Sequence, residues 1–162
     1  MSRWFERFGF AEVAEGLWVG AYPTDADDVA EIAALGVTRV LNLCEDVEYR
    51  PAQRAAVEAS LGGAGLVEDR VCLVDYGGLP LAALDRAARR VVSWLEDGER
   101  VYLHCRAGWQ RSATVAGAVV ALRDGVGVGE ALRRIQARKP TAEPLDRQRR
   151  DLAAWAEQAG VG

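Results

Sequence analysis

The sequence predicts a single α/β domain, in which a short, mostly parallel central sheet of four to five strands is flanked by helices on both faces. Two observations support this prediction. Short apolar runs rich in valine and leucine alternate with longer segments in which apolar residues recur every three or four positions. The first pattern is typical of buried parallel strands and the second of amphipathic helices, so their alternation implies crossover connections. A chain of 162 residues is long enough to bury one core.

The first half of the chain is predicted to hold two strands and two helices. Residues 17–19 are expected to form an edge strand, and residues 37–43 a buried one. Between them, Thr24 and Asp27 have the spacing of an acidic capping box, which predicts the start of a helix. Pro51 is well suited to the first position of a second helix, which should run to about residue 61.

The second half is predicted to hold two further buried strands, over residues 71–74 and 101–103. Between these strands, apolar residues from Leu81 to Leu95 fall on one helical face, which predicts a long amphipathic helix. Three more helices are predicted, over residues 112–122, 130–137 and from 144 to about 159.

The loop between the strand 101–103 and the helix 112–122 carries the most reactive side chains. It presents a thiol at Cys105, a guanidinium at Arg111 and a hydroxyl at Ser112. In a strand-to-helix loop, the backbone N–H groups and the helix N-terminus attract anions, and an arginine can bind a phosphate through two N–H groups. The same field is expected to favour the thiolate form of Cys105. The loop is therefore predicted to hold a nucleophile and to bind a tetrahedral dianion.

Polar residues follow two other predicted strands at the edge where this loop should lie. In open parallel sheets, ligands bind outside the carboxyl ends of the strands, which should place Asn42 and Asp75 beside Cys105. Asp75 begins a glycine-containing loop and is a candidate proton donor for a departing oxygen; alternatively, it only ends its strand or caps the next helix. Asn42 either hydrogen-bonds the cysteine loop or is a strand-end turn residue. Asp69 should lie at the opposite end of the sheet.

Residues 104–112, which read His-Cys-Arg-Ala-Gly-Trp-Gln-Arg-Ser, resemble the His-Cys-x5-Arg-Ser/Thr signature of the cysteine-dependent protein phosphatases, and most closely their dual-specificity branch. The likeness includes Gly-Leu-Trp-Val-Gly at 16–20 and Val-Leu-Asn-Leu at 40–43. It implies one phosphatase-like domain over residues 1–162, with a catalytic core at about 12–157. Trp109 and Gln110 depart from the usual pattern, which leaves the substrate class open.

The resemblance implies a role for each residue of the site. Cys105 would attack phosphorus and form a phosphocysteine, Asp75 would act as general acid, and Ser112 would hydrogen-bond the sulfur. His104 would orient the loop while facing away from the substrate, and Asn42 would support the loop. The phosphate oxygens would be bound by the signature loop, which comprises Arg106, Ala107, Gly108, Trp109, Gln110 and Arg111.

The implied function is hydrolysis of phosphate monoesters, at protein phosphotyrosine and/or phosphoserine/threonine. A phosphatase of phosphoinositides or small phosphorylated metabolites is an alternative. A phosphate-binding module without catalysis and a rhodanese-like sulfurtransferase are two further alternatives. Retention of Cys105, Asp75, Arg111 and Ser112 disfavours the binding module, and the length of the loop disfavours the sulfurtransferase.

Composition limits the expected partners and location. The net charge of -4 gives no basic surface for nucleic acid or anionic membrane. Three cysteines without a CxxC pair indicate a reducing compartment, and no signal peptide or membrane span is recognised. His104 is the only histidine, so no metal site is predicted. We expect a cytoplasmic monomer that acts on a phosphorylated protein or small phosphate ester without a cofactor.

Overall fold

Five strands form one sheet, in the order β1-β2-β5-β3-β4, in the computed structural model, which describes residues 1–162. The strands are β1 (Phe10–Ala14), β2 (Leu17–Gly20), β3 (Arg39–Asn42), β4 (Val67–Arg70) and β5 (Val101–His104). β1 is antiparallel to β2, and all other neighbours are parallel. The predicted mostly parallel sheet is therefore confirmed.

Helices cover both faces of the sheet, as predicted. They are α1 (Arg3–Phe8), α2 (Ala26–Ala34), α3 (Gln53–Gly63), α4 (Leu81–Glu96), α5 (Arg111–Asp124), α6 (Val128–Arg138) and α7 (Asp146–Ala159). Alternate residues of β5 enter two different cores: Val101 and Leu103 pack in the larger cluster with α4 to α7, and Tyr102 packs in the smaller cluster with α1 to α3. The central strands are thus buried on both faces.

Two strand predictions are wrong. The strand at 17–19 is not at the edge, because β1 pairs with it and all four residues of β2 are buried. The third parallel strand is β4, and not residues 71–74. Val71 and Leu73 are nevertheless buried, and their N–H groups donate to the Asn42 and Leu43 carbonyls. These residues resemble a strand in sequence because Val71 and Leu73 are buried, although they come after the residues that pair in the sheet.

The prediction that Asp69 lies at the opposite end of the sheet is wrong. Asp69 belongs to β4, where it is paired with Leu41, and its carboxylate is 2.9 Å from Arg90 of α4. The prediction failed because the strand lies four residues earlier than its apolar neighbours suggest. Asp69 lies one residue before the carboxyl end of β4, where its carboxylate forms an ion pair with Arg90.

Two predicted helix starts are displaced, and α1 was not predicted. The N-cap of α2 is Asp25, whose side chain accepts from the Asp28 N–H group, whereas the Thr24 hydroxyl donates to Asp28. Pro51 lies in a turn, and α3 begins after Ala52, which has a φ of 63°. The predicted helices over 81–95, 112–122 and 130–137 correspond to α4, α5 and α6.

The carboxyl ends of three adjacent parallel strands lie in register. Gly20 and Asn42 both pair with His104, one from each side. The chain segments that leave β2, β3 and β5 therefore begin at the same edge of the sheet, where parallel sheets bind ligands. No helix of the protein is both long enough and apolar enough to cross a membrane.

Candidate active site

The signature loop connects β5 to α5 and places Cys105 at the sheet edge. The side chain of Cys105 is buried, and its sulfur lies 3.2 Å from the Ser112 hydroxyl oxygen. Ser112 occupies the first turn of α5, so the sulfur and the hydroxyl meet at the N-terminus of a 14-residue helix. This arrangement can stabilise negative charge on sulfur through the hydroxyl and the helix dipole.

Two carbonyl groups of the signature loop accept hydrogen bonds from backbone N–H groups outside the loop. The Arg106 carbonyl accepts from the Tyr22 N–H group at 3.1 Å, and the Trp109 carbonyl accepts from the Glu143 N–H group at 2.7 Å. The N–H groups of residues 106–111 donate to no acceptor of the protein. These donors can therefore bind the oxygen atoms of an anion.

Gly108 fixes the curvature of this loop through a close approach to β2. Its φ is 73°, in the left-handed region that favours glycine. A Cβ atom at this position would lie 2.6 Å from the carbonyl carbon of Gly20 and 2.7 Å from its oxygen. Gly20 also lacks space for a side chain, because Phe10 and Tyr102 crowd it. Two glycines therefore allow the loop to pack directly on the end of β2.

Arg111 is completely buried in a network of acceptors. Its Nη1 donates to Glu48 Oε2 at 2.8 Å and to the Leu73 carbonyl at 2.9 Å, and its Nη2 donates to Glu48 Oε1 at 2.7 Å. Nη2 is also 3.1 Å from Asp75 Oδ1, whereas the buried Nε has no partner. Burial alone would lower the pKa of Arg111, but the hydrogen bonds to Glu48 outweigh it and raise the pKa.

Glu48, which the sequence analysis did not single out, accepts two hydrogen bonds from Arg111. It ends a 3-10 turn, Asp46–Glu48, in the segment after β3, and only 6% of its side chain is exposed. Burial alone would raise the pKa of Glu48, but the hydrogen bonds from Arg111 and the Glu45 N–H group lower it. An acidic residue in the segment after a strand that ends at this edge is a signal from which Glu48 could have been predicted. Glu45 and Asp46 have the same position after the strand, so the sequence alone does not single out Glu48.

Asp75 lies at the mouth of the site, with 29% of its side chain exposed. The segment that follows is tied to α7 by two side chains. The Leu79 N–H group donates to Asp151 Oδ2 at 2.7 Å, and Gln148 Nε2 donates to the Gly77 carbonyl at 3.2 Å. The Asp75 loop, residues 75–80, is thus positioned by a helix that is remote in sequence.

His104 faces the core, on the opposite side from the cysteine sulfur. It is fully buried, and its Nδ1 lies 3.2 Å from the Cys105 carbonyl oxygen, which fits a donating Nδ1–H group. Its Nε2 has no partner. Burial lowers the pKa of His104 to about 3, so the ring is neutral. A neutral, buried ring can orient the loop but cannot reach a substrate.

The prediction that Asn42 hydrogen-bonds the signature loop is wrong. Its amide nitrogen donates to the Tyr49 hydroxyl at 2.8 Å, and its oxygen accepts from the Cys44 N–H group at 2.8 Å. Asn42 is paired with His104, so both side chains lie on the same face of the sheet. Cys105 follows with the opposite orientation. Asn42 therefore shapes the segment that carries Glu48.

A cavity of about 160 Å³ opens above the sulfur of Cys105. Its walls are largely aromatic, and α1 contributes two of them. The ring centroids of Trp4 and Phe8 are 4.3 Å apart, and those of Phe8 and Trp109 are 5.2 Å apart. The cavity is lined by Trp4, Phe8, Asp75, Tyr76, Cys105, Arg106, Ala107, Trp109 and Gln110.

Comparison with known proteins places this site in a family. Residues 17–158 match the family described as dual specificity phosphatase, catalytic domain. A search of curated proteins found no match. The structure is similar to that of Tk-PTP in the active form, with a TM-score of 0.80 and 21% identity, covering 92% of this chain and 97% of that one.

Two other solved structures have the same fold. PTPMT1 gives a TM-score of 0.81 at 22% identity, covering 94% of this chain and 96% of that one. Human DUSP28 gives a TM-score of 0.72 at 22% identity, covering 93% and 95%. Because the family match spans most of the sequence, the chain belongs to the dual specificity phosphatases and is a cysteine-based phosphatase.

Proposed function

We propose that this phosphatase hydrolyses protein phosphotyrosine and/or phosphoserine/threonine through a phosphocysteine on Cys105. One observation carries the proposal: the buried sulfur lies at the floor of a cavity, 3.2 Å from Ser112, beneath backbone N–H groups that donate to no acceptor of the protein. The proposal assigns one domain to residues 1–162, with the catalytic core at about 12–157.

Substrate binding begins at Arg111 and the loop N–H groups. A bidentate arginine–phosphate contact through Nε and Nη2 competes with Asp75, because Nη2 is now shared between Glu48 and Asp75. Transfer of Nη2 to the phosphate would therefore release the Asp75 carboxyl group from Arg111 and leave it free to face the leaving oxygen.

The reaction then follows in two steps. The Cys105 thiolate attacks phosphorus, the bond from phosphorus to the leaving oxygen breaks, and Asp75 gives its proton to that oxygen. In the second step, the Asp75 carboxylate takes a proton from water, which attacks the phosphocysteine and releases phosphate and thiolate. Ser112 stabilises the thiolate as it leaves. Arg111 and the loop N–H groups bind the three equatorial oxygens in both transition states.

The cavity walls favour an aromatic ester. The rings of Trp4, Phe8 and Trp109 surround the approach to Cys105, and a phosphotyrosine ring can contact them by offset or edge-to-face packing. Phosphoinositide hydrolysis is the second candidate, because PTPMT1, which shares this fold, has been crystallised with PI(5)P. The cytoplasmic location of the protein stays a prediction.

The test is hydrolysis of para-nitrophenyl phosphate and of a phosphotyrosine peptide between about pH 5 and 8, in EDTA and reductant. Cys105→Ser should abolish turnover, whereas Cys72→Ser, which changes an exposed cysteine, should retain it. Asp75→Asn should lower kcat about 100-fold for the peptide, whose leaving group needs a proton. A Cys105→Ser variant that remains active would contradict the proposal. Activity confined to phosphoinositides would select the second candidate.

A further inference from the structure

We propose that a second anion subsite lies beside the reaction cavity, and that it binds a second phosphate of the same substrate molecule. The proposal rests on the phosphatase function given above. The site is a cavity of about 490 Å³, and Arg3, Arg50 and Arg106 contribute to its lining. It is separate from the cavity above Cys105.

The three arginines are available to an external anion. None of them forms an ion pair with a carboxylate of the protein, although ten other arginines do. Each guanidinium has five N–H donors in a planar arrangement that suits phosphate. Three unpaired cations around one cavity, in a chain with a net charge of -4, indicate an anionic ligand.

The residues that carry these cations have fixed backbones. The buried carboxylate of Asp28 accepts from the N–H group and the hydroxyl of Ser2, both at 2.7 Å, and also from Thr24. This network attaches the segment that begins α1, and hence Arg3, to α2. The Arg50 N–H group donates to Gln53 Oε1 at 2.9 Å. Arg106 belongs to the signature loop itself.

The second subsite adjoins the reaction cavity. Trp4 and Arg106 line both cavities. The Trp4 ring donates through Nε1 to the Arg106 carbonyl at 2.9 Å, and the Arg106 guanidinium lies 5.3 Å from the ring centroid. One tryptophan ring and one arginine therefore form the boundary between the cavities. This shared boundary is the reason for assigning the second anion to the same substrate molecule.

A hydroxyl group lies among the cations. Tyr22 is buried and lines the second cavity. Burial raises the pKa of the Tyr22 hydroxyl, although Arg106 and Arg50 are close enough to oppose the shift. The hydroxyl is therefore protonated at neutral pH and can donate a hydrogen bond to a phosphate oxygen.

The residues around the second cavity carry more positive than negative charge. Two carboxylates also line it, from Asp25 and Glu48. The charge of Glu48 is compensated by Arg111, with which it forms two hydrogen bonds. Three arginines outnumber the carboxylates of Asp25 and of the buried Asp28, which accepts hydrogen bonds from the lining residues Ser2 and Thr24. The remaining positive charge favours an anion such as a phosphate monoester.

The test compares substrates with one and with two phosphates. The first pair is a phosphotyrosine peptide with a neighbouring serine, either free or phosphorylated, at each position within three residues on both sides. The second pair is an inositol monophosphate and a bisphosphate. In wild type, the second phosphate should raise kcat/KM about tenfold in at least one pair, through charge-assisted hydrogen bonds. The pair that responds identifies the source of the phosphate.

The Arg3→Gln/Arg50→Gln double variant should reduce this preference at least about fivefold. The matched control is Arg86→Gln/Arg150→Gln, which removes two exposed arginines that form no ion pair and line neither cavity; it should keep the preference. The proposal is overturned if wild type shows no preference in either pair, if the double variant keeps it, or if the control loses it equally. Turnover of the singly phosphorylated substrates, and its loss in Cys105→Ser, tests the phosphatase function separately.

Discussion

The signature loop and the Asp75 loop lie next to each other at the sheet edge, but different forces position them. The signature loop is held by backbone contacts: Gly108 packs on Gly20, and carbonyl groups of the loop accept from backbone N–H groups outside it. The Asp75 loop is held by the side chains of Asp151 and Gln148, which project from α7.

This difference teaches that phosphate binding and proton donation depend on separate parts of the structure. Backbone packing leaves no rotamer to adjust, so a change at Gly108 should affect every substrate. Side-chain anchors can be removed singly, and their loss should affect only the position of Asp75. Variants of the two loops should therefore differ in their dependence on the leaving group, since only a poor leaving group needs an early proton.

The largest effect is expected for Gly108→Ala, which tests the backbone contact. The new Cβ would meet the Gly20 carbonyl at 2.6 to 2.7 Å, at a φ of 73° that alanine rarely adopts. The loop must shift, and a displacement of about 1 Å can lower kcat/KM roughly 100-fold. We expect a similar loss for para-nitrophenyl phosphate and for phenyl phosphate, measured by steady-state kinetics.

The matched control is Gly129→Ala in α6, where the Cβ has no neighbour within 4 Å. Alanine in a helix should raise the free energy of unfolding by up to about 1 kcal/mol, with no change in activity. A Gly108→Ala enzyme with wild-type kinetics would show that the contact with Gly20 does not set the shape of the loop.

The next effect concerns Glu48, which joins the two loops through Arg111. Glu48→Gln removes one partner of a buried ion pair, which should cost about 3 kcal/mol of unfolding free energy at pH 7. The folded-state pKa of Glu48 is lowered, so its stabilisation is present above the unfolded value of about 4.3 and is lost as the pH falls through the folded value.

Urea unfolding at pH 7 and near pH 3.5 checks this expectation. The difference between wild type and Glu48→Gln should shrink at the lower pH. Glu31→Gln, which changes an exposed glutamate without an ion pair, should show no difference at either pH. An equal difference between wild type and Glu48→Gln at both pH values would mean that Glu48 acts through packing and not through its charge.

The sequence predicts the signature loop well because its chemistry and its geometry are contiguous. A cysteine, an arginine and a serine within eight residues, between an apolar run and a helix, are enough to identify the loop. Asp75 was found because the apolar residues before it are buried. Residues 71–73, just before Asp75, hydrogen-bond to the end of β3 and the residue after it, although the strand that pairs with β3 is β4, which lies earlier in the sequence.

The parts that were missed depend on contacts between distant residues. β4 is polar because it lies at the sheet edge, so its sequence lacks the apolar run of a central strand. α1 has six residues and is stabilised by packing of Phe5 in the smaller core, which no local pattern reveals. Glu48 was one of several acids in a charged loop. What distinguishes Glu48 from the other acids is its hydrogen bond with Arg111, which lies 63 positions away in the sequence.

The smallest effect is expected for Asp151→Ala, which removes the acceptor of the Leu79 N–H group. The Asp75 loop keeps its second anchor, Gln148, so the loop should loosen without unfolding. We expect kcat for phenyl phosphate to fall about five- to tenfold, which corresponds to part of one charge-assisted hydrogen bond. For para-nitrophenyl phosphate, kcat should fall less than about threefold, because its leaving group hardly needs the proton.

Two further variants separate positioning from general destabilisation. Asp151→Asn keeps an oxygen acceptor and should restore most of the loss, whereas Glu157→Ala changes an exposed residue elsewhere on α7 and should have no effect. KM should stay constant throughout, because Arg111 and the loop N–H groups bind the phosphate. If Asp151→Ala lowered kcat equally for both esters, α7 would support the whole site and the two loops would not be independent. A loss confined to phenyl phosphate would show that α7 positions the proton donor alone.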